Sequence, residues 1–281
     1  MLLGIDLGTT TAKAALFDKE SGRIVAVAGR EYPTYHPRPG WAEQDVNDWW
    51  WAVTSVVKEV VAKSRVDPRE IKGISVSSHR EAVALLDREG HVLGRVIIWM
   101  DRRSLPQARW IEENFDVREL YKRTGLIVDP TFTATKLLWL KENEPEQLSR
   151  ARWALQPKDY IVYKLTGKPT TDHSVASRTL LFDIVKLEWA HDLFEDFGLA
   201  DYVSIFPEPS YSDEVVGEVT EEAAREAGLT PGIPVVGGGG DRGCEVLGSG
   251  VLGPDRVEES TGTGSTTATT VNSPITDPKM R

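Results

Sequence analysis

Leu2-Leu3-Gly4-Ile5-Asp6-Leu7-Gly8-Thr9-Thr10-Thr11-Ala12-Lys13 opens the chain, and the rest is interpreted outward from it. An apolar run reaches Asp6, a glycine turns the chain, three threonines follow, and Ala14-Ala15-Leu16-Phe17 resumes an extended pattern. The pattern predicts a β-hairpin with a small-residue loop at its tip. Gly8 can take φ > 0 and has no Cβ to hold a ligand away. Thr9, Thr10 and Thr11 set hydroxyls beside exposed backbone N–H groups, which suits phosphate oxygens. Asp6, at the mouth of the strand, is placed to hold a hydrated Mg²⁺, which takes one or two carboxylates plus water and phosphate. An ordinary tight hairpin with polar residues at its turn fits the same stretch, and local chemistry does not separate the two. The Walker spacing Gly-x-x-x-x-Gly-Lys-Ser/Thr is absent.

The 281 residues are enough for one large domain or two ordinary ones. With 40% hydrophobic and 27% charged residues, the composition is that of a globular protein. A formal charge of −10 argues against nucleic acid or an anionic membrane as the main partner. Any polyanionic phosphate must then be bound locally, by backbone amides and a metal. A single cysteine, Cys244, excludes an internal disulfide and a thiolate zinc cluster. The five histidines, His36, His79, His91, His173 and His191, show no metal-ligand spacing. No stretch approaches a transmembrane span and no signal-peptide pattern precedes the first strand, so the expected location is the cytoplasm.

Residues 24–31 read as a third strand. Asp45 is a candidate N-cap for a helix reaching about residue 63, with Val46, Trp50, Val53, Val57, Val60 and Val61 on its buried face. The triplet Trp49-Trp50-Trp51 cannot all share that face. Strands are expected at 73–77, 82–87 and 96–99, and helices at 103–114, 117–124, 133–143, 157–165 and 190–197. A strand at 215–219, a helix at 221–227 and a buried strand at 233–236 follow. Three early strands and then alternating helices and strands predict an α/β sheet with inserted helices. Residues 256–260, the loop Thr261-Gly262-Thr263-Gly264-Ser265 and residues 266–271 repeat the layout of the opening hairpin. Two such hairpins suggest two related half-molecules around one ligand, the second present only as its first hairpin.

Gly237-Gly238-Gly239-Gly240-Asp241 follows the buried strand and precedes a helix start. Asp241 at the carboxyl edge of the sheet is a candidate general base for a hydroxyl attacking a terminal phosphate. On local grounds alone it reads more readily as a helix N-cap on a glycine turn. The spacing Gly238-x-Gly240-x-x-Gly243, with Glu258 or Glu259 closing the next strand, also outlines a dinucleotide fingerprint, the mark of an oxidoreductase domain. Ser77-Ser78-His79-Arg80-Glu81 ends another strand. Arg80 and Glu81 could hydrogen-bond vicinal hydroxyls against an apolar wall at Trp99, or form a surface ion pair beside a core tryptophan.

These stretches together resemble the FGGY family of carbohydrate kinases, within the actin/hexokinase/Hsp70 superfamily. The resemblance rests on Gly4-Ile5-Asp6-Leu7-Gly8-Thr9-Thr10, Trp41-Ala42-Glu43-Gln44-Asp45, Gly73-Ile74-Ser75, and Ile98-Trp99-Met100-Asp101-Arg102-Arg103. Further on it rests on Thr135-Lys136-Leu137-Leu138-Trp139-Leu140, Pro157-Lys158-Asp159-Tyr160, Ala176-Ser177-Arg178-Thr179, the glycines before Asp241, and Gly262-Thr263-Gly264. It implies a ribonuclease-H-like, sugar- or polyol-binding domain over residues 1–250, and the beginning of an ATP-binding domain over 251–281. It implies Asp241 as catalytic base and Asp6 as the Mg²⁺-associated carboxylate. Gly8, Thr9, Thr10 and Thr11, with Gly262, Thr263 and Gly264, would meet the ATP phosphates. Arg80, Glu81, Trp99, Asp241 and Arg242 would surround the substrate. Motifs are nearest the glycerol kinase branch, which has Tyr at Thr131 and Gln at Arg242. These departures point to a polyol or sugar larger than glycerol. The small-molecule substrate is the expected partner, and a homodimer stays open as the assembly. Residues 1–281 alone are expected to be inactive, and a truncated, non-catalytic sugar-binding module is the alternative.

Overall fold

The computed structural model describes residues 1–261, 265–277 and 279. The opening hairpin is formed by strands Leu2–Leu7 and Thr11–Phe17, antiparallel, with Leu2 opposite Phe17 and Leu7 opposite Ala12. Strand Ile24–Glu31 extends it on the outer side. Side chains alternate as the pleat requires: Leu3, Ile5 and Leu7 enter the core with Ala12, Ala14 and Leu16, while Gly4 and Asp6 face the other way. Strand Ile74–Ser78 lies parallel along the inner side of Leu2–Leu7. Pro234–Val236 continues the sheet in parallel, and Val215–Glu218 closes it antiparallel.

Helix Val46–Ser64 covers the buried face of the sheet. Asp45 caps it, its carboxylate accepting the Asn47 N–H at 2.9 Å. The tryptophan triplet sorts by helical rotation. Trp49 belongs to the stripe with Val53, Val56 and Val60, at i+4, i+7 and i+11, and is fully buried. Trp50, expected on that face, lies at its margin and donates its indole N–H to Glu226; Trp51 is exposed. Helices Pro157–Thr166 and Glu221–Ala227 pack into the same core through Tyr160, Ile161, Leu165, Ala223 and Ala227.

A second core holds the inserted helices Leu105–Asn114, Val117–Thr124 and Thr133–Asn143, with Phe182, Phe194 and Phe206 among its aromatic members. Val117–Thr124, Thr133–Asn143 and Glu221–Ala227 begin and end where their periodicity predicted. Near the end, Glu258–Thr261 and Ser265–Ala268 form the expected second hairpin as a separate two-stranded sheet. Its tip, Gly262, Thr263 and Gly264, lies outside the described residues. No helix among the described residues is long and apolar enough to cross a membrane.

His79 follows the Ile74–Ser78 strand and is buried edge-on against Trp49, with 5.7 Å between ring centres. Neither ring nitrogen has a hydrogen-bond partner among the described residues. Burial disfavours the imidazolium and brings its pKa from 6.5 down to about 4. The unfolded chain therefore takes up a proton near pH 6.5 that the folded chain refuses until about pH 4. Stability is full above pH 6.5 and falls as the pH drops toward 4, by roughly 3 kcal/mol for a shift of this size. His79→Leu removes that loss and strands no hydrogen-bond partner. Urea unfolding at pH 7.5 and pH 4.5 is expected to show a smaller difference for the variant than for the wild type.

Candidate active site

The register of the three parallel strands brings the candidate residues together. Asp6 and Gly239 both stand opposite Ser77, on its two sides, and Leu7 and Gly240 both stand opposite Ser78. The next residues along each strand, the Gly8–Thr11 loop, His79-Arg80-Glu81 and Asp241, therefore leave the sheet at the same carboxyl edge. Gly238 permits this approach. Its φ is +70°, and a Cβ there would lie 2.0 Å from the Val76 carbonyl oxygen.

Helix Asp241–Gly248 starts on Asp241 itself, with Gly240 in the cap position. The cap role expected for Asp241 thus falls one residue earlier, and its carboxylate meets Arg80 instead. Arg80 Nε stands 2.7 Å from Asp241 Oδ1, out of line for a hydrogen bond, so the contact is an ion pair. Arg242 donates its backbone N–H to Asp241 at 2.8 Å, but its guanidinium turns to Glu245 and, at 3.9 Å, to Glu258.

Glu81 is held from every side. Its φ is +61°, an uncommon conformation for a residue with a Cβ. Its N–H donates to Gln156 Oε1 at 3.1 Å, and its carbonyl accepts from Lys136 Nζ at 2.8 Å. Its carboxylate receives Arg178 Nε at 2.6 Å. Lys136 is fully buried and also reaches the carbonyls of Pro130, at 3.3 Å, and Thr131. That shared ammonium places the Thr131 backbone beside the Arg80–Glu81 pair. The Thr131 hydroxyl is directed to Asp129, which also takes Arg102 at 2.9 Å. Burial lowers the pKa of Lys136 to about 7, against the pull of Glu81, Asp101 and Asp129.

Two further contacts fix the glycine loop before Asp241. Ser174 Oγ accepts the Gly240 N–H at 2.9 Å, and Lys158 Nζ donates to the Gly237 carbonyl at 2.9 Å. Lys158 is fully buried between Asp159, at 2.6 Å, and Asp172, at 3.1 Å. Burial alone would lower its pKa, but the two carboxylates outweigh it and keep the ammonium charged.

Around Asp6 the field is negative. Burial raises its pKa first, and Asp241 and Glu245 add to the rise; the Ser77 hydroxyl, donating at 2.7 Å, and Lys13 oppose it. Cys244, on the helix that starts at Asp241, is pushed up to about 11 by burial and then by Asp172, Asp6 and Asp241. Its thiol is no nucleophile at neutral pH. Asp6, with the Ser77 hydroxyl as its hydrogen-bond partner, offers a hard-oxygen donor that fits a magnesium ion, whereas Asp241 is already paired with Arg80.

The Gly8–Thr11 loop is tied back through its oxygens. Gly8 O accepts the Tyr32 hydroxyl, Thr10 O accepts the Tyr32 N–H at 3.1 Å, and Thr11 O accepts the Gly8 N–H at 3.1 Å. The Thr9 hydroxyl receives the indole N–H of Trp99 at 3.0 Å. No partner among the described residues takes the N–H of Thr9 or Thr10. Trp99 is 39% exposed while its N–H holds the loop. Tyr32, Lys136, Lys158, Ser174 and Arg178 were not assigned roles from sequence. Only the two lysines carried a signal, a cationic residue inside an apolar helical stripe.

An antiparallel hairpin joined to parallel strands, with acidic residues at their carboxyl edge, defines the actin/hexokinase-like class of α/β domain. The model of the FGGY family of carbohydrate kinases, N-terminal domain, matches residues 1–248, and the chain belongs to that family. It is 35% identical over 268 residues to a glycerol kinase of Thermococcus onnurineus, covering 94% of this chain and 52% of the relative. It is 33% identical over 262 residues to a xylulose kinase of Bacillus subtilis, covering 93% and 52%. The crystal structure of a gluconate kinase from Lactobacillus acidophilus superposes with a TM-score of 0.92 at 26% identity, over 99% of this chain and 56% of that one. The chain spans about half the length of the relatives it matches. The dinucleotide fingerprint at Gly238–Gly243 falls with this placement; its first glycines serve the close strand approach described above.

Lys158→Met would leave Asp159 and Asp172 as unpaired buried charges. The expected loss is about 3–5 kcal/mol of folding stability, read as a lower midpoint in chemical denaturation.

Proposed function

We propose that the chain supplies the substrate-binding side of an ATP-dependent kinase that phosphorylates a hydroxyl of a sugar or polyol. The observation that carries this reading is the convergence of Asp6, the free amides of Thr9 and Thr10, the Arg80–Glu81 pair and Asp241 on one sheet edge. Family membership supports the reaction class, and the names of the relatives, glycerol, xylulose and gluconate kinases, support the substrate class. Residues 1–250 form the substrate domain and 251–281 begin the ATP-binding domain, a division supported by the family match ending at residue 248.

The substrate lies between Trp99 and the Arg80–Glu81 pair, Arg80 donating to one hydroxyl oxygen and Glu81 accepting from a neighbouring hydroxyl. Arg178 orients the Glu81 carboxylate and Lys136 holds its backbone carbonyl. Asp241 accepts the proton of the reacting hydroxyl as its oxygen attacks the γ-phosphorus and the bond to the ADP oxygen breaks. The amides of Thr9 and Thr10, with Gly262–Gly264 from the second hairpin, meet the phosphates. Asp6 would hold magnesium, which spreads the phosphate charge in the transition state when bound. Most of the rate enhancement then comes from positioning. The guanidinium of Arg242, expected beside the substrate, is engaged instead by Glu245 and Glu258.

The substrate is larger than glycerol. Thr131 is short and its hydroxyl is engaged by Asp129, so this side of the cleft carries no aromatic ring where the glycerol kinase branch has Tyr. Coupled ADP release, measured on a polypeptide that joins residues 1–281 to an ATP-binding half, tests both points. Asp241→Asn is expected to lower turnover by about 10²–10⁴-fold at an unchanged thermal midpoint; near wild-type turnover would remove the base role. Across a panel of polyols, pentoses and aldonates, glycerol as best substrate would overturn the size argument. Residues 1–281 by themselves are expected to show no measurable turnover.

A further inference from the structure

The motif Trp41-Ala42-Glu43-Gln44-Asp45 and the tryptophan triplet are not used by the mechanism above, yet one residue from each meets behind the phosphate loop. Gln44 and Trp49 are both fully buried. The indole N–H of Trp49 donates to Gln44 Oε1 at 2.9 Å. Indole nitrogen is a donor only, so the amide oxygen of Gln44 must face it and the amide NH₂ must face the other way. That NH₂ donates to the Thr9 carbonyl at 2.7 Å and to Thr34 Oγ1 at 2.9 Å.

With this bond, all four carbonyls from Gly8 to Thr11 accept hydrogen bonds from within the protein. The Thr9 peptide oxygen is pulled toward the core. A trans peptide is planar, so the N–H of Thr10, in the same peptide unit, is turned outward. The loop consequently turns its backbone carbonyls inward and leaves the N–H groups of Thr9 and Thr10 without a partner among the described residues, which suits an anion in a protein of net charge −10.

We propose that Trp49 and Gln44 form a positioning relay that orients the Thr9–Thr10 peptide for phosphate. The proposal rests on the phosphate reading of the Gly8–Thr11 loop. Trp49 acts through Gln44, and neither touches the ligand. A purely space-filling role would tolerate apolar groups of similar size; a relay would not.

The test uses residues 1–281 labelled with ¹⁵N, and Mg²⁺-tripolyphosphate as the probe. In the double variant Gln44→Met/Trp49→Phe both partners become apolar, which leaves no orphaned buried donor or acceptor between them. Where that variant's thermal midpoint falls, Trp49→Phe alone serves beside it: it keeps Gln44 and removes the orienting N–H together with part of the buried ring, and its own thermal midpoint measures the packing loss. Amide order parameters at Thr9 and Thr10 are expected to fall from about 0.85 to below about 0.6, and tripolyphosphate affinity to fall about tenfold. If Thr9 and Thr10 keep their order in these variants, the relay is overturned, whatever the affinity. If the variants loosen the loop but the wild type fails to bind tripolyphosphate, the relay stands and the phosphate reading of the loop falls.

Discussion

Parallel pairing of Ile74–Ser78 with Leu2–Leu7 on one side and Gly239–Gly240 on the other is the constraint on which the rest depends. Strand side chains alternate with a period of two, so a slip of one residue would carry Asp6 to the buried face and Leu7 to the cleft. The burial of Leu3, Ile5, Leu7, Ile74 and Val76 fixes the register against such a slip. Three chain segments that are distant in sequence then end at the same height, and the loops leaving them have nowhere to go but one edge. Gly238 is the point at which this is tightest, because no side chain fits between its backbone and Val76.

The Arg80–Glu81 side of that edge is held by buried lysines. Lys136 gathers carbonyls from Glu81, Pro130 and Thr131, and Lys158 gathers the Gly237 carbonyl with two carboxylates. Each ammonium costs desolvation free energy that an apolar residue would not. What it provides is direction: a single charged centre draws several backbone segments to fixed positions, including one with φ of +61° at Glu81. A leucine in either place would fill the volume and leave those loops free to relax. Strain at Glu81 is thus maintained by the inserted helices, which lie outside the central sheet, and the two cores are joined mechanically at the substrate.

Much of this was legible in the residue order, and the reasons differ by element. The opening hairpin was readable because an apolar run, a glycine and a second apolar run are local features. Helix Val117–Thr124 was readable because Asp116 and Gly125 cap it at either end. Asp6 and Asp241 were each open to a plain turn or cap reading on local grounds, and gained their roles from the ordered set of motifs around them. By contrast, Arg178 finds Glu81 across 97 residues, and Ser174 finds Gly240 across 66. No local pattern encodes such pairs. The tryptophan triplet failed for a subtler reason: the valines admit either Trp49 or Trp50, and Trp49 is the one that meets Gln44, His79 and Tyr160, which lie elsewhere in the sequence. The partner of Arg242 was hidden in the same way, since Glu258 belongs to the later hairpin.

The loop side of the edge is held by a different chemistry, and the contrast follows from charge. A lysine behind the Gly8–Thr11 loop would hold its carbonyls as well as Lys136 holds those near Glu81. It would also pair with Asp6, and the negative field that raises Asp6 and Cys244 would be discharged from within the protein. Tyr32, Gln44 and Trp99 instead hold the loop with neutral donors. The loop stays in place while Asp6 at its foot keeps no ion-pair partner among the described residues, and on the proposed reading a cation arriving with a phosphate ligand would find an oxygen donor there. On the proposed reading, neutral anchoring on one side and lysine anchoring on the other divide the cleft into a part suited to a metal and a part suited to hydroxyls, although both hang from the same sheet edge.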